Sequence, residues 1–319
     1  MTEPKFLDRI VQSWTPEFVV PSGSYLLDNS TALKSFAGIP SGTIIQLMSR
    51  TEGSYKTSFA LQGLSNIQAL GYKVAFVDAE AALMDVTWAE GMGIDSTQWS
   101  LAIPESGEEA CEMVEYFLEK GYKGIVVDSI DAMQPSSILT AQYGDASIGN
   151  HAKLITAFVR RLKNLVVKHN AIVYLINQMK INMTQMGARG HKATGGSALG
   201  FYSKLNIEMV RGGDTSLKDK DLIPITLSVK RSKLGDSFLD IDTFAKPGVG
   251  IYAAGELAMI AQQKGLVKKA GSWWKTVEGE TIGQGPEALA EWCSNYEFKN
   301  GGIISERRVN KEVTEDGTT

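Results

Sequence analysis

Short apolar runs alternate with amphipathic stretches along most of this chain. The runs have the length and composition of buried β-strands and lie at residues 43–48, 73–77, 124–127, 171–176, 203–210 and 225–230. Between them, apolar positions recur at helical spacing over residues 56–70, 107–119 and 151–168. Strands that alternate with helices predict βαβ units, and therefore an α/β fold with a mostly parallel central sheet.

The two ends of the chain have a different pattern. Residues 1–14 show helical spacing that stops at Thr15-Pro16, and helices predicted at 255–264 and 287–292 flank the pair Trp273-Trp274. We therefore predict four parts, with the last one frayed. They are a short N-terminal helical segment (1–21), a core (22–250), a small α+β C-terminal domain (251–305) and a flexible tail (306–319).

Composition narrows the class of protein. Hydrophobic residues make up 43% of the chain, and no apolar stretch approaches the length of about 18 residues that a membrane span needs. The first residues do not resemble a signal peptide, and Cys111 and Cys293 have no neighbouring metal ligands. We expect a cytoplasmic protein with reduced thiols and no membrane partner.

Charge is distributed unevenly along the chain. The net charge is −4, yet residues 146–207 contain nine Lys or Arg and no Asp or Glu. A long basic segment in an otherwise acidic protein predicts a place where an anion docks. Chance clustering of the charges is the alternative.

The loop after the first predicted strand resembles a phosphate-binding loop. Lys56 can contact the β- and γ-phosphates, and the Thr57 hydroxyl can ligate Mg²⁺. The usual pattern has glycines where this chain has Arg50 and Tyr55, so a Lys-Thr pair that opens an ordinary helix is the alternative. The predicted nucleotide-binding residues are Thr51, Glu52, Gly53, Ser54, Tyr55, Lys56, Thr57, Ser58 and Asp128.

Three polar residues follow other predicted strands. Asp128 can hold the hydration shell of Mg²⁺, Glu80 can deprotonate an attacking water, and Gln178 can sense the γ-phosphate. Because parallel strands place their carboxyl ends at one edge of the sheet, we expect these residues to converge. Taken singly, an acid after an apolar strand is common, and Glu80 is equally typical of a helix start.

Two glycine-bearing segments are candidates for DNA-binding loops, at about 141–149 and 179–195. The stretch between Gln178 and Ala198 shows no convincing strand or helix pattern, contains no acid, and is predicted to be a functional loop. Cations there can contact phosphates, and Met183 can wedge between bases; for each cation alone, a solvated surface charge is the alternative. Since this loop starts at Gln178, we expect γ-phosphate contact to order it.

These motifs, in this order, resemble those of the RecA recombinase family over nearly the whole chain. The matching segments are SGSYLLD, FVDAEAAL, GIVVDS, GDASIG, LINQ, ATGGSALGFY, AGEL and GETIGQG. The resemblance implies a RecA-like ATPase core, DNA-dependent ATPase activity with ATP and Mg²⁺, and an N-terminal segment (1–21) that serves polymerisation. It also implies a helical homo-oligomeric filament on single-stranded DNA that exchanges strands with double-stranded DNA.

The resemblance also implies roles for individual residues. Glu80 would be the catalytic base and Gln178 the γ-phosphate sensor, while Thr57 and Asp128 would hold the metal. Arg231 and Lys233 would reach the ATP of a neighbouring subunit, and Phe201 would lie at that interface. The predicted DNA-binding residues are Ile148, Lys153, Thr156, Arg160, Lys180, Met183, Thr184, Arg189, Gly195, Gly196 and Ser197.

Several positions depart from the family pattern. Both loop glycines are missing, although an aromatic before the Lys also resembles some phage recombinases, and Met84 and Thr87 stand where an acid and an aromatic are expected near adenine. We expect a member of this family to work in the cytoplasm of a bacterium or of a phage-infected host. A DNA-binding filament protein with weak or absent ATP turnover is the alternative function, and the GDASIG and ATGGSALGFY loops disfavour a ring helicase.

Overall fold

The computed structural model describes residues 15–82, 86–139, 149–183, 189–193, 197–212 and 222–300. The predicted helix at 1–14, the tail at 306–319 and most of the first predicted DNA loop lie outside these ranges. The same holds for Ile148, Thr184, Gly195 and Gly196. No helix within the described ranges is both long and apolar enough to cross a membrane.

Strands and helices are numbered in chain order within the described residues. The strands are β1 (Val19–Val20), β2 (Ile39–Pro40), β3 (Thr43–Ser49), β4 (Val74–Asp78), β5 (Trp99–Ala102), β6 (Gly124–Asp128), β7 (Ile172–Met183), β8 (Arg189–Ala193), β9 (Leu205–Arg211), β10 (Ile223–Ser232), β11 (Leu239–Lys246), β12 (Gly250–Ile251), β13 (Val267–Ala270), β14 (Trp273–Thr276) and β15 (Thr281–Gln284). The helices are α1 (Tyr25–Asp28), α2 (Lys56–Gln68), α3 (Val86–Gly91), α4 (Gly107–Glu119), α5 (Ser136–Leu139), α6 (Asn150–Lys168), α7 (Ser197–Tyr202), α8 (Ala253–Gln263) and α9 (Gly285–Asn300). Short 3-10 helices lie at Thr31–Leu33, Ser96–Gln98 and Ile130–Ala132.

One large sheet organises the molecule. Its strand order is β12-β11-β10-β9-β3-β7-β6-β4-β5, and the strands from β9 to β5 in this order pair in parallel. The strands from β9 to β12 pair antiparallel. The predicted α/β fold with a mostly parallel central sheet is therefore confirmed.

Side chains alternate between the two covered faces of this sheet. On one face Ile45, Phe76 and Tyr174 pack with α2 in a continuous apolar cluster. On the other face Val77 and Leu175 pack with α4 and α6. Burial on both faces explains why these strands appear in the sequence as unbroken apolar runs.

A separate small sheet and two helices lie near the carboxyl end. Strands β13, β14 and β15 form an antiparallel sheet, and α8, α9 and β13 share an apolar cluster. The buried Glu256 on α8 accepts hydrogen bonds from the Ser24 hydroxyl (2.8 Å) and the Thr243 hydroxyl (2.6 Å). This carboxylate therefore connects α8 to α1 and to the large sheet.

The stretch that follows Gln178 differs from the prediction. Strand β7 continues to Met183, and β8 pairs with it antiparallel, with Met179 opposite Ala193 and Met183 opposite Arg189. The prediction of a stretch without strand or helix between Gln178 and Ala198 is therefore wrong. Apolar residues at 179, 181 and 183 alternate with polar ones, and this alternation has the period of a strand.

The contact between Gly63 on α2 and Tyr174 on β7 generates a test of the core. A Cβ atom at Gly63 would lie 2.1 Å from the Tyr174 hydroxyl oxygen, and Tyr174 is fully buried. We expect Gly63→Ala to destabilise the protein by about 1–3 kcal/mol, despite the better helix propensity of alanine. The measurement is the free energy of unfolding in urea.

The same contact predicts coupling between two substitutions. Tyr174→Leu removes the atoms that the new methyl group would meet, so Gly63→Ala should cost less in the Tyr174→Leu background than alone. Additivity of the two costs within about 0.5 kcal/mol would show that the close approach does not limit packing.

Candidate nucleotide-binding site

The loop between β3 and α2 has a left-handed backbone at the position where the usual phosphate-loop sequence has a glycine. Tyr55 is the N-cap of α2 and adopts a left-handed conformation with φ 65°, which ordinarily favours glycine. Its side chain is half-buried against the apolar cluster that contains α2. Arg50, at the other missing glycine, forms an ion pair with the buried Glu208, with Nε 2.6 Å from Oε1. Tyr55 and Arg50, which replace the two glycines, therefore each contact another part of the fold.

Lys56 opens α2 and directs its ammonium group towards hydroxyls. Its Nζ donates to Ser49 Oγ at 2.5 Å and to Ser54 Oγ at 3.3 Å. Burial lowers the pKa of Lys56, and nearby acids, led by Asp128, oppose that shift. A half-buried ammonium group held by neutral hydroxyls is suited to receive an anion.

A hydrogen bond joins the start of α2 to the end of β6. Thr57 Oγ1 donates to Asp128 Oδ2 at 2.6 Å. Burial raises the pKa of the Asp128 carboxyl to about 6, the Thr57 hydrogen bond and Lys56 oppose the rise, and Glu80 adds to it. A divalent cation beside this pair would favour the ionised carboxylate.

Glu80 lies beside the same strand end. It is exposed, its backbone N–H donates to the Asp128 carbonyl at 3.1 Å, and its carboxylate accepts a hydrogen bond from the Ser129 hydroxyl. Ser129 thus orients the predicted base. Ser129 directly follows Asp128 and is not among the predicted site residues.

Gln178 is connected to the start of α6. Its backbone N–H donates to Asp131 Oδ2 at 2.6 Å. In the same 3-10 helix, the Ile130 carbonyl lies 2.9 Å from His151 Nε2, and His151 is in the first turn of α6. Neither Asp131 nor His151 lies in one of the motifs quoted above.

The predicted nucleotide residues meet around one cavity of about 430 Å³. Those that line it are Glu52, Gly53, Lys56, Thr57, Glu80, Asp128 and Gln178. Thr51, Ser54, Tyr55 and Ser58 lie in the same loop and the first turn of α2 without lining the cavity. Its other walls are Phe76, Asp78, Ala82, Trp88 and Ile176. Trp88 is next to Thr87, where the family pattern has an aromatic, and that proximity was the signal for it.

The predicted interface residues form a separate cluster. The Arg231 guanidinium carbon lies 5.3 Å and Lys233 Nζ 5.5 Å from the centre of the Phe201 ring. Lys233 Nζ also donates to the Phe201 carbonyl at 2.7 Å, and burial, with Arg231 adding to it, lowers the pKa of Lys233.

Strand register places that cluster at the edge opposite the phosphate loop. Ser232 pairs with Leu205, and Leu205 pairs with Ile45 near the start of β3. The phosphate loop leaves the other end of β3, about 13 Å away along the strand. The cluster and the cavity of one chain are therefore at different edges of the sheet.

The predicted DNA-binding residues that the structure describes lie on α6 and on the hairpin. Lys153 and Arg160 are exposed on α6, Thr156 is half-buried, and the opposite face of the helix packs in the core. Arg161 is paired with Glu115 at 2.5 Å, so part of the basic charge is neutralised within the chain. Lys180 and Met183 lie on β7, Arg189 opens β8 and Ser197 opens α7.

The raised pKa of Asp128 predicts a pH-dependent cost to stability. Its pKa of about 6 in the fold exceeds an ordinary value of about 3.9, so protonation favours the fold and stability is lost as pH rises through about 6. Asp128→Asn removes that loss and can still accept the Thr57 hydrogen bond. Without nucleotide or metal, we expect it to stabilise the protein by about 3 kcal/mol at pH 7.5 and much less at pH 4.

Thermal unfolding at the two pH values checks this expectation. Glu278→Gln, an exposed acid in the turn after β14, is the control and should leave the pH profile unchanged. An equal effect of Asp128→Asn at both pH values would contradict a raised pKa of the Asp128 carboxyl.

The sequence of this chain is similar to those of known proteins that belong to one family. Residues 13–246 match the family model of the RecA N-terminal domain. Protein RecA 1 of Myxococcus xanthus is 33% identical over 282 residues, which cover 87% of this chain and 80% of that protein. Protein RecA of Thermotoga maritima is 33% identical over 304 residues, which cover 93% of this chain and 83% of the relative. The chain therefore belongs to the RecA family of recombinases.

Proposed function

We propose that this protein is a DNA-dependent ATPase that forms a helical filament on single-stranded DNA and catalyses homologous pairing and strand exchange with a duplex. The observation that carries the proposal is the single cavity lined by Lys56, Thr57, Glu80, Asp128 and Gln178. The family supports the recombinase class, and the composition supports action in the cytoplasm.

The donor set fits ATP and Mg²⁺. Lys56 offers an ammonium group to the phosphates, and the Thr57 hydroxyl and Asp128 carboxylate, 2.6 Å apart, offer oxygen ligands and acceptors for metal-bound water. When bound, Mg²⁺ neutralises charge on the phosphate oxygens. Glu80 is the exposed carboxylate available to accept a proton from water, and Ser129 fixes its orientation.

A second copy supplies the remaining cations in this proposal. Arg231 and Lys233 lie at the sheet edge opposite the phosphate loop, so their own cavity is out of reach. In a head-to-tail filament the same edge faces the cavity of the next copy. There the two cations would stabilise charge on the γ-phosphate, as an arginine finger does.

Contacts around Gln178 support a route from nucleotide to DNA. Its N–H is held by Asp131, and the adjacent Ile130 contacts His151 in the first turn of α6. Helix α6 carries Lys153 and Arg160 on its exposed side. A shift of Gln178 on γ-phosphate contact would therefore move a DNA-binding helix as well as the β7–β8 hairpin.

The alternative is a DNA-binding filament protein with little ATP turnover. The observation that favours it is a tyrosine at the position where the usual loop has glycine. The left-handed backbone of Tyr55 weakens that alternative, because the loop keeps the geometry that the glycine would allow.

ATP hydrolysis with and without single-stranded DNA tests the proposal. We expect turnover to rise with DNA, to vanish in Lys56→Ala, and to fall by about 10²–10⁴ in Glu80→Gln while ATP binding persists. Glu278→Gln is the matched control. Slow turnover of the unaltered chain with or without DNA would favour the alternative function, and rapid turnover by Glu80→Gln would remove Glu80 as the base.

The salt dependence of single-stranded DNA binding tests the basic surface. Each phosphate contact should add about −0.7 to the slope of log affinity against log salt, so Arg160→Ala should flatten that slope by about 0.7. Lys34→Ala, an exposed cation outside the acid-free segment, should leave it unchanged. Equal slopes for the Arg160→Ala chain and the unaltered chain would show that α6 does not contact DNA at this residue.

A further inference from the structure

A buried acid lies between two cations beside the phosphate loop. Glu208 on β9 is 1% exposed, and its two carboxylate oxygens lie 2.6 Å from Arg50 Nε and 3.0 Å from Lys230 Nζ. The side chains of both cations remain about half exposed. Removing a carboxylate from water is costly, and an apolar residue of similar size often holds a fold equally well. Glu208 therefore indicates a role beyond stabilising the sheet.

Strand register brings Glu208 to the start of the loop. Glu208 pairs with Met48 in the parallel ladder of β9 and β3, and β3 ends at Ser49. Arg50 is the next residue, and its guanidinium reaches across to the neighbouring strand to meet the carboxylate. The ion pair therefore holds the first residue of the phosphate loop against β9, at a position where the usual loop has a glycine.

The residues on either side of Arg50 contact each other and Lys56. The Ser49 hydroxyl donates to the Thr51 carbonyl at 2.8 Å and accepts from Lys56 Nζ at 2.5 Å. Arg50 is the residue between Ser49 and Thr51. A displacement of its backbone would therefore move the hydroxyl that holds the lysine.

Strand β9 meets the loop a second time, through its last residue, Arg211. A Cβ atom at Gly53 would lie 3.2 Å from Arg211 Nη1, so the guanidinium lies beside this glycine, which lines the cavity. Burial raises the pKa of Tyr55, and the nearby charge of Arg211 opposes that rise. One strand thus contacts the phosphate loop at its start and again at its middle.

We propose that β9 positions the phosphate loop, with Glu208 holding its first residue, Arg50, and Arg211 holding its middle. Lys230 contacts the other oxygen of Glu208 and the Ser228 hydroxyl on its own strand, so it compensates the buried charge.

Positioning of the loop has a defined consequence for ATP. The inference rests on the proposed function in that the loop receives the phosphates of ATP. A loop that is already in its binding geometry loses less conformational freedom when ATP binds, so the two β9 contacts raise ATP affinity. Glu80, Asp128 and Gln178 belong to other elements, and turnover at saturating ATP depends less on β9.

Binding of a fluorescent ATP analogue with Mg²⁺ to the full chain tests the pair of Glu208 and Arg50. Arg50→Gln and Glu208→Gln should each weaken binding about tenfold, and the KM for ATP should rise alike while kcat changes less than about threefold. The double variant should bind no more weakly than the weaker single variant, because both changes remove the same ion pair. Two effects that multiply in the double variant would overturn the proposal.

Net charge and stability are controlled separately. Glu208→Gln removes a negative charge near the phosphates, so an effect of charge alone would tighten ATP binding, whereas loss of positioning weakens it. Lys230→Gln removes a cation from the same carboxylate and leaves Arg50 paired, so binding should change less than about twofold. Glu256→Gln removes a buried acid that joins α8 to α1 and β11, and it should leave ATP binding unchanged whatever it does to stability.

Hydrogen exchange of the backbone amides at residues 51–55, without nucleotide, gives a second readout. Exchange should be about tenfold faster in Arg50→Gln and in Arg211→Gln than in the unaltered chain, and unchanged in Lys230→Gln. Arg50 and Arg211 are exposed, so these two variants keep the test available if Glu208→Gln does not fold.

The outcomes separate this inference from the proposed function. Faster exchange in both arginine variants, with no binding of the ATP analogue by the unaltered chain, would uphold positioning by β9 and refute the ATP site. Binding by the unaltered chain with an unchanged affinity in Arg50→Gln would uphold the ATP site and overturn positioning. Unchanged exchange without any binding would overturn both.

Discussion

The hydrogen bond from Thr57 to Asp128 is the interaction on which the candidate site depends. It joins the first turn of α2 to the last residue of β6 across 2.6 Å. Because α2 follows β3, and β3 and β6 are both neighbours of β7, this bond fixes the phosphate loop against the carboxyl edge of the parallel sheet. Lys56 is at the start of α2, Glu80 follows the end of β4 by two residues, and Gln178 pairs with the last residue of β3. All three line the same cavity because they lie at that edge.

Because β10 runs antiparallel to β9, the residues at the end of β10 lie at the sheet edge opposite the cavity. Arg231, Lys233 and Phe238 lie there, away from the cavity of their own chain. Four acids line the cavity at one edge, and Arg231, Lys233 and the exposed Phe238 lie at the other. In the proposed head-to-tail arrangement these two edges would face each other, and a head-to-tail contact that does not close into a ring builds a filament. This arrangement supports the proposal of a catalytic site shared between copies.

Much of the fold could be predicted because both faces of the central strands are buried. Unbroken apolar runs such as the one in β6 follow from that burial, and so does the convergence of Asp128 and Gln178 at one edge. The β7–β8 hairpin was missed because its alternation is short and mixed with glycine and cations. The four-residue strand β5 offers even less pattern.

Several residues of the candidate site could not be predicted, because no sequence pattern marks them as site residues. Phe76 and Ile176 look like ordinary core residues, and only the three-dimensional arrangement shows that they face the cavity. Tyr55 has a left-handed backbone, which tyrosine ordinarily disfavours. The sequence therefore indicated a phosphate-binding loop only weakly. Asp131 accepts a hydrogen bond from the backbone N–H of Gln178, and His151 contacts the carbonyl of the adjacent Ile130. No residue pattern predicts such contacts with backbone groups.

Mixing two inactive variants tests the shared site most directly. In the proposed arrangement Lys56→Ala would disable the cavity of its own chain, and Lys233→Ala would remove a cation that the chain offers to its neighbour. In an equal mixture, about a quarter of the contacts would join an intact cavity to an intact cation, so DNA-stimulated ATP turnover should return to about a quarter of the unaltered rate. No recovery in mixtures that form filaments would contradict a catalytic site built from two copies.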